Sequence, residues 1–178
     1  MLWQPRMEIY LDVSGSMPNP CVTLNAMTLA AQILAVGTIR AGGWVRALMY
    51  SESTLAHWMW SRSETEISRF LMNYIGAGTS FPFEMLEQSL AGETRARPIR
   101  VLITDSDFDD NYASKPVNAR IFRDAVAGSA QLILLLHQPK QKFARFYKSE
   151  GAKVVAVDVM ANYPKMAADL TFALFPEG

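Results

Sequence analysis

Cysteine is nearly absent: Cys21 stands alone in 178 residues. A disulfide framework within the chain is thereby excluded, and so is a cysteine-rich zinc site. Cys21 itself reads as a small helix residue, buried or half-buried, because thiols pack like small hydrophobes. A reducing compartment suits this composition. An excess of charge is missing too, since 17 Lys and Arg balance 17 Asp and Glu. Nothing therefore steers the chain toward nucleic acid or an anionic membrane. No apolar run approaches the ~20 residues of a bilayer span. Residues 1–7 lack the apolar stretch of a signal peptide. The expectation is a cytoplasmic protein with neither nucleic acid nor membrane as partner.

What is present is a core. Half of the residues are hydrophobic and 19% are charged, the balance of a folded protein. The length fits one domain, and no repeat, low-complexity stretch or linker divides residues 1–178. Strand and helix patterns alternate along the chain. Residues 7–11 form a short apolar run ending at Asp12, and residues 22–40 carry apolar side chains at helical spacing (Leu24, Met27, Ala31, Leu34, Ala35) until Gly42 and Gly43 stop them. Residues 44–50 and 54–60 read as strands joined by a turn too short for a parallel crossover, so they pair antiparallel. Ser63 with Glu66 marks a helix start, a capping-box pattern, for a helix running to about Tyr74. Helices over 83–90, 116–127, 140–148 and 163–174 alternate with strands over 100–104, 131–136 and 153–157. Residues 105–110 read as an acidic loop.

This alternation predicts a doubly wound α/β fold: a mostly parallel six-stranded sheet, one antiparallel edge strand, and helices on both faces. In such sheets ligands bind beyond the carboxyl ends of the strands, where strand order reverses. Two polar loops follow strand ends, one from Asp12 to Ser16 and one from Asp105 to Asp110.

Asp12, Ser14 and Ser16 alternate through a strand-to-helix turn that Gly15 keeps tight. A carboxylate and two hydroxyls are hard oxygen donors suited to Mg²⁺ or Mn²⁺. The competing reading is a helix start capped by Ser14 or Ser16. Thr79, in Gly78-Thr79, adds a hydroxyl, and Asp105, in Thr104-Asp105, adds a second carboxylate.

These five residues, in this order and on these element boundaries, resemble the metal-ion-dependent adhesion site of the von Willebrand factor type A domain family. The resemblance extends over essentially the whole chain. It implies a Rossmann-like fold and a bound Mg²⁺, with Mn²⁺ or Ca²⁺ as substitutes. It implies Ser14 and Ser16 as direct ligands, Thr79 as a ligand that binds directly or through water, and Asp12 and Asp105 acting mainly through water. It leaves one coordination position for a Glu or Asp of a partner protein. Intracellular members resemble assembly factors that work with AAA+ ATPases of the MoxR type. The chain starts its sheet close to Met1, so it reads as a stand-alone subunit or as a C-terminal module. The pattern departs from the family at Ser106, where many members have Gly.

Around this centre, Met17, Asn19, Ser80, Ser106, Asp107 and Asp109 are candidate rim residues. The acidic stretch has a second reading as a solvated helix start. The function expected is a non-catalytic, Mg²⁺-dependent protein–protein interaction module. The alternative is a metal-dependent phosphohydrolase or phosphoryl-transfer enzyme on a similar sheet. Such enzymes need a base beside the metal, and Ser14 stands where an aspartate-based phosphatase carries its acid/base. His137, at the end of a parallel strand, is a further candidate for partner contact. Lys140, Lys142, Arg145 and Lys148 read as a solvated basic face.

Overall fold

The computed structural model describes residues 4–92 and 96–176. At its centre lies β1 (Arg6–Asp12), flanked in parallel by β2 (Trp44–Tyr50) and by β4 (Ile99–Thr104). Strand β3 (Thr54–Ser61) pairs antiparallel with β2 and forms one edge. Strands β5 (Gln131–His137) and β6 (Lys153–Val157) extend the parallel part, giving the order β3-β2-β1-β4-β5-β6. Chain direction across the sheet reverses between β1 and β4, so the switch point lies at Asp12 and Thr104.

Alternation of side chains along β1 sends Met7, Ile9 and Leu11 to one face and Tyr10 to the other. On the first face they pack with buried residues of α1 (Ala26–Arg40), α2 (Glu64–Leu71) and α7 (Tyr163–Leu174). On the second, Tyr10, Leu48, Leu102 and Leu134 meet α3 (Phe83–Ala91), α4 (Asp107–Ala113), α5 (Pro116–Gly128) and α6 (Gln141–Ser149). Phe81, Phe83, Phe108, Tyr112, Phe122 and Tyr147 form a chain of tilted and edge-on rings there, which adds geometric preference to area burial.

The strands differ from an apolar reading in one row. Glu8, fully buried, has Arg46 and Arg100 as its register partners on β2 and β4. Arg46 donates to Glu8 Oε2 from Nε at 2.8 Å and from Nη2 at 2.5 Å. Arg100 Nε donates to Oε1 at 3.1 Å, and the Tyr10 hydroxyl donates to the same oxygen. Arg100 also reaches Gly128 O and Ser129 Oγ. Trp58 and Trp60 cover this row from the edge strand, with the Arg46 guanidinium 4.3 and 4.4 Å from their ring centres. Their role is edge cover, as bulky strand residues favour.

Three elements differ from the sequence expectation. Helix α1 starts at Ala26 rather than near Val22, because Asn25 caps it: its side chain accepts from Thr28 N and donates to Pro18 O. The acidic stretch after β4 is a helix, α4, rather than a loop. Burial of Phe108 and Tyr112, one turn apart, holds it despite poor helix formers between them. Helix α2 ends at Leu71, short of Tyr74, while its cap is Ser63 as the capping pattern implies. Glu66 does not complete that box, because its carboxylate takes Ser61 Oγ and faces His57 instead.

Candidate metal centre

The first loop leaves β1 at Asp12 and is folded on itself. Ser14 N donates to Asp12 Oδ1 at 2.9 Å, Met17 N donates to Ser14 O, and the Ser14 and Ser16 hydroxyls lie 3.2 Å apart. Neither serine caps α1, whose cap is Asn25. The capped-helix reading of these two serines is therefore excluded. Asp12 and Ser14 are buried, while Ser16 is exposed at the tip.

The loop after α2 is tied directly to the first. Gly15 N donates to Ala77 O at 2.6 Å and Gly76 N donates to Val13 O at 3.1 Å. Thr79 lies two residues beyond Ala77, half-buried. Gly76 and Ala77 have positive φ values of 75° and 65°, the left-handed turn that lets the chain fold back here. Gly15 has a separate reason to be glycine: a Cβ there would stand 2.9 Å from Ala77 O. Gly15→Ala is expected to push the two loops apart and weaken any Mg²⁺-induced rise in Tm, leaving the metal-free Tm within a few degrees of wild type; differential scanning fluorimetry reads both.

The third loop leaves β4 beside Asp12. Thr104 Oγ1 donates to Asp12 Oδ2 at 3.3 Å. Tyr163 OH donates to Thr104 O and fixes the strand end from below. Asp105 follows, half-buried, and accepts from Asp107 N at 2.9 Å. Burial pushes the Asp12 carboxyl up to about 6, against the Ser14 N–H and hydroxyl bonds, and the Asp105 charge adds to the rise. Asp105 is raised as well, chiefly by burial and with the Asp107 charge contributing, while the Asp107 N–H and His137 pull it down. Asp12 and Asp105 thus lie within electrostatic reach of each other, in a place that disfavours negative charge.

Two further residues belong to this neighbourhood. Tyr50, the register partner of Asp12, is fully buried, and its hydroxyl has no hydrogen-bond partner among the described residues. Burial raises its pKa well above the phenol value, with the Asp12 charge contributing. His137 closes β5, and its Nδ1 lies 2.8 Å from Val157 O. A carbonyl only accepts, so Nδ1 carries a proton and Nε2 is the acceptor in the neutral ring. His137 stands within electrostatic reach of Asp105.

The candidate rim divides. Ser80 and Asp107 are exposed, and Asn19 and Ser106 are half-buried. Asn19 Oδ1 accepts from Cys21 N to close its own turn. Cys21, expected in a helix and at least half-buried, is exposed in the loop before α1 and donates to Met72 O. Met17 is no rim residue: it is buried in the core under α1. Asp109 is not one either. It is fully buried, accepting from Tyr147 OH at 2.8 Å and Lys140 N at 3.0 Å, which ties α4 to the start of α6. Lys140, the residue before α6, in turn pairs with Asp110, so the expected basic face is partly neutralised at its start.

Does the arrangement fit a hard cation? Among the described residues no cluster of three or more His, Cys, Asp and Glu could hold a metal. A cation here relies on hydroxyls and water beside two carboxylates, which is the chemistry Mg²⁺ accepts. The Ser14–Ser16 hydroxyl pair, the raised carboxyls and the unpartnered Tyr50 hydroxyl all fit a hydrated ion. The five residues are linked to different degrees. Hydrogen bonds join Asp12, Ser14 and Ser16, charge links Asp105 to them, and the loop of Thr79 is tied to the first loop through Gly76 and Ala77.

No protein-family model and no curated protein matches the sequence. Solved structures do match. A von Willebrand factor type A protein from Catenulispora acidiphila superposes with a TM-score of 0.69 at 14% identity, covering 94% of this chain and 42% of that one. The conserved hypothetical protein BatB from Bacteroides thetaiotaomicron gives 0.67 at 13%, covering 98% and 100%. The pilus adhesin SpaC from Lactobacillus rhamnosus GG gives 0.72 at 11%, covering 98% of this chain and 30% of that one. The chain thus spans less than half the length of the first and third of these proteins. At such identities the likeness is one of fold, and the fold is that of a von Willebrand factor type A domain.

Proposed function

We propose that this chain is a non-catalytic interaction module in which a divalent cation, Mg²⁺ in the first instance, is held by Asp12, Ser14, Ser16, Thr79 and Asp105 and grips a carboxylate of a partner protein. The observation that carries this reading is the pair Asp12 and Asp105, both raised by burial, set beside two serine hydroxyls that cap no helix. When bound, the ion supplies a Lewis-acid position for one further oxygen ligand. Ser14 and Ser16 offer hydroxyl oxygens to it. Asp12, which accepts from Ser14 N and Thr104 Oγ1, serves in this reading as an outer anchor. The MoxR-type AAA+ ATPase as working partner, and the cytoplasm as compartment, rest on the family resemblance and on the near absence of cysteine. Among the described residues no helix is long and apolar enough to cross a membrane.

The test is a pull-down with wild type and Asp12→Ala, each in Mg²⁺ and in EDTA. A partner recovered by wild type in Mg²⁺ alone, and lost when its own interface Glu and Asp residues are replaced, supports the reading. A partner held equally in EDTA, or equally by Asp12→Ala, contradicts it.

One observation favours the enzymatic alternative: His137, with Nε2 as its acceptor nitrogen, stands within electrostatic reach of Asp105. A histidine there supplies the base that a metal-dependent hydrolase needs. Mg²⁺-dependent phosphatase turnover lost in both Asp12→Ala and His137→Ala would favour that alternative over the binding module.

A further inference from the structure

A cleft of about 590 Å³ opens beside the loop that carries Thr79. Its size lies within the usual range of ligand pockets, roughly 300–1,000 Å³. Its floor is aromatic and aliphatic: Phe81, Phe83 and Ile121, all nearly fully buried. Its walls are polar, with Glu52 from the β2–β3 turn, Glu84 from the first turn of α3, and Asn111 from α4. Val117, 42% exposed, forms an apolar lip.

The cleft adjoins the loop that carries Thr79, with Ser80 in its lining. Glu52 leans on the backbone of Gly78, whose absent Cβ would meet Glu52 Oε1 at 2.5 Å, and the next residue is Thr79. Ser80 N donates to Ser51 O and locks that turn against the Thr79 loop. Asn111 is the shared wall. Its Nδ2 donates to Thr79 O and Asp107 O, and its Oδ1 accepts from Phe81 N. A segment lying in the cleft therefore touches the residue that holds both the Thr79 loop and the helix start beside Asp105.

Charge then indicates what the segment carries. Glu87 on the wall is paired with Arg120 at 2.7 Å. Glu52 and Glu84 have no ion pair among the described residues, and the lining offers Lys115 as the one opposing cation. The walls carry an excess of carboxylate over an apolar floor. That combination fits a long basic side chain, whose stem packs on Phe81 and Phe83 while its head stays at the polar wall.

We propose that this cleft is the second half of the partner's footprint: the partner segment places its carboxylate at the metal and a neighbouring Lys or Arg, with its flanking apolar residues, in the cleft between Glu52 and Glu84. The inference rests on the reading of the metal loop given above, and it narrows that reading from any acidic group to an acidic group followed at fixed spacing by a basic one. It also assigns Asn111 as a positioning residue common to both halves.

The experiment is selection from a synthetic hexapeptide library with one fixed Asp and the other positions randomised, on wild type and on Glu84→Lys, each in Mg²⁺ and in EDTA. Glu84 is exposed, so circular dichroism should show an unchanged fold in the variant. Peptides selected by wild type in Mg²⁺ are expected to share a Lys or Arg at one offset from the Asp. Glu84→Lys should weaken them about fivefold or more, on the scale of a lost surface pair plus new repulsion. Peptides bound in Mg²⁺, lost in EDTA, without a basic preference and indifferent to Glu84→Lys would overturn the cleft and leave the metal grip standing. Peptides with the basic preference that bind equally in EDTA would keep the cleft and overturn the metal grip. No selection in any condition would overturn both.

Discussion

Asp12→Asn is expected to raise the stability of the metal-free protein at pH 7 by about 2–3 kcal/mol while removing its response to Mg²⁺. The Asp12 carboxyl is raised to about 6 by burial, from ~3.9 in the unfolded chain. Between those values the folded state binds more protons than the unfolded one, so this group's contribution falls as pH rises. Its favourable contribution is complete below about pH 4 and is lost through pH 6. Above that the buried charge carries a penalty of about 1.4 kcal/mol for each tenfold weakening of the acid. The Asn side chain keeps an acceptor for Ser14 N and carries no charge. In EDTA at pH 7 the variant should melt above wild type, and the gap should close toward pH 4. In saturating Mg²⁺ the order should reverse, because only wild type gains stability by mass action. Thermal melts of both proteins over pH 4 to 8 check each part. A variant less stable than wild type in EDTA at pH 7 would show that Asp12 is structural. The trade of stability against a functional group is the pattern expected of a binding site.

Glu8→Gln is expected to destabilise the protein by about 3–5 kcal/mol, the range for removing one member of a buried ion network. Arg46 and Arg100 approach Glu8 from both sides on adjacent strands, and the three side chains are at most a few per cent exposed. An amide in place of the carboxylate removes the charge that Arg46 and Arg100 share through Glu8. Against a total stability of roughly 5–15 kcal/mol for a domain, this is a large fraction. Replacing all three with apolar residues should recover most of the loss, since buried ion networks gain little over good packing. Urea midpoints at unchanged slope read these differences. A loss below about 1 kcal/mol for Glu8→Gln would mean that water reaches the row.

The contrast between these two residues shows how far the sequence could be read. The parallel sheet and its antiparallel edge followed from apolar runs and from the short turn between Tyr50 and Thr54, features local to a few residues. Asp12, Ser14, Ser16, Thr79 and Asp105 were grouped by the family resemblance, and of these the hydrogen bonds join Asp12, Ser14 and Ser16. Glu8 was not legible, because its importance lies in register. Arg46 and Arg100 are far from it in sequence and become its neighbours only once β2 and β4 flank β1. The same holds for Tyr50 beside Asp12 and for Asn111 between two loops. Helix α4 was hidden by its composition, since Asp107, Asp109, Asp110 and Asn111 favour turns, and tertiary burial of Phe108 and Tyr112 overrides them. The start of α1 was misplaced because Val22 and Leu24 continue the apolar spacing, yet both are exposed. Met17 and Asp109, read as rim, are core and cross-tie, which no spacing rule reveals.

The proposed metal grip turns on Asp12 and Asp105, two carboxyls held where burial disfavours charge. The most direct measurement is a Mn²⁺ titration followed by electron paramagnetic resonance, on wild type and on Asp12→Asn at pH 7. A single class of bound Mn²⁺ on wild type, displaced by Mg²⁺ and absent from the variant, is the predicted result. Free Mn²⁺ throughout the wild-type titration, or equal binding by the variant, would contradict it.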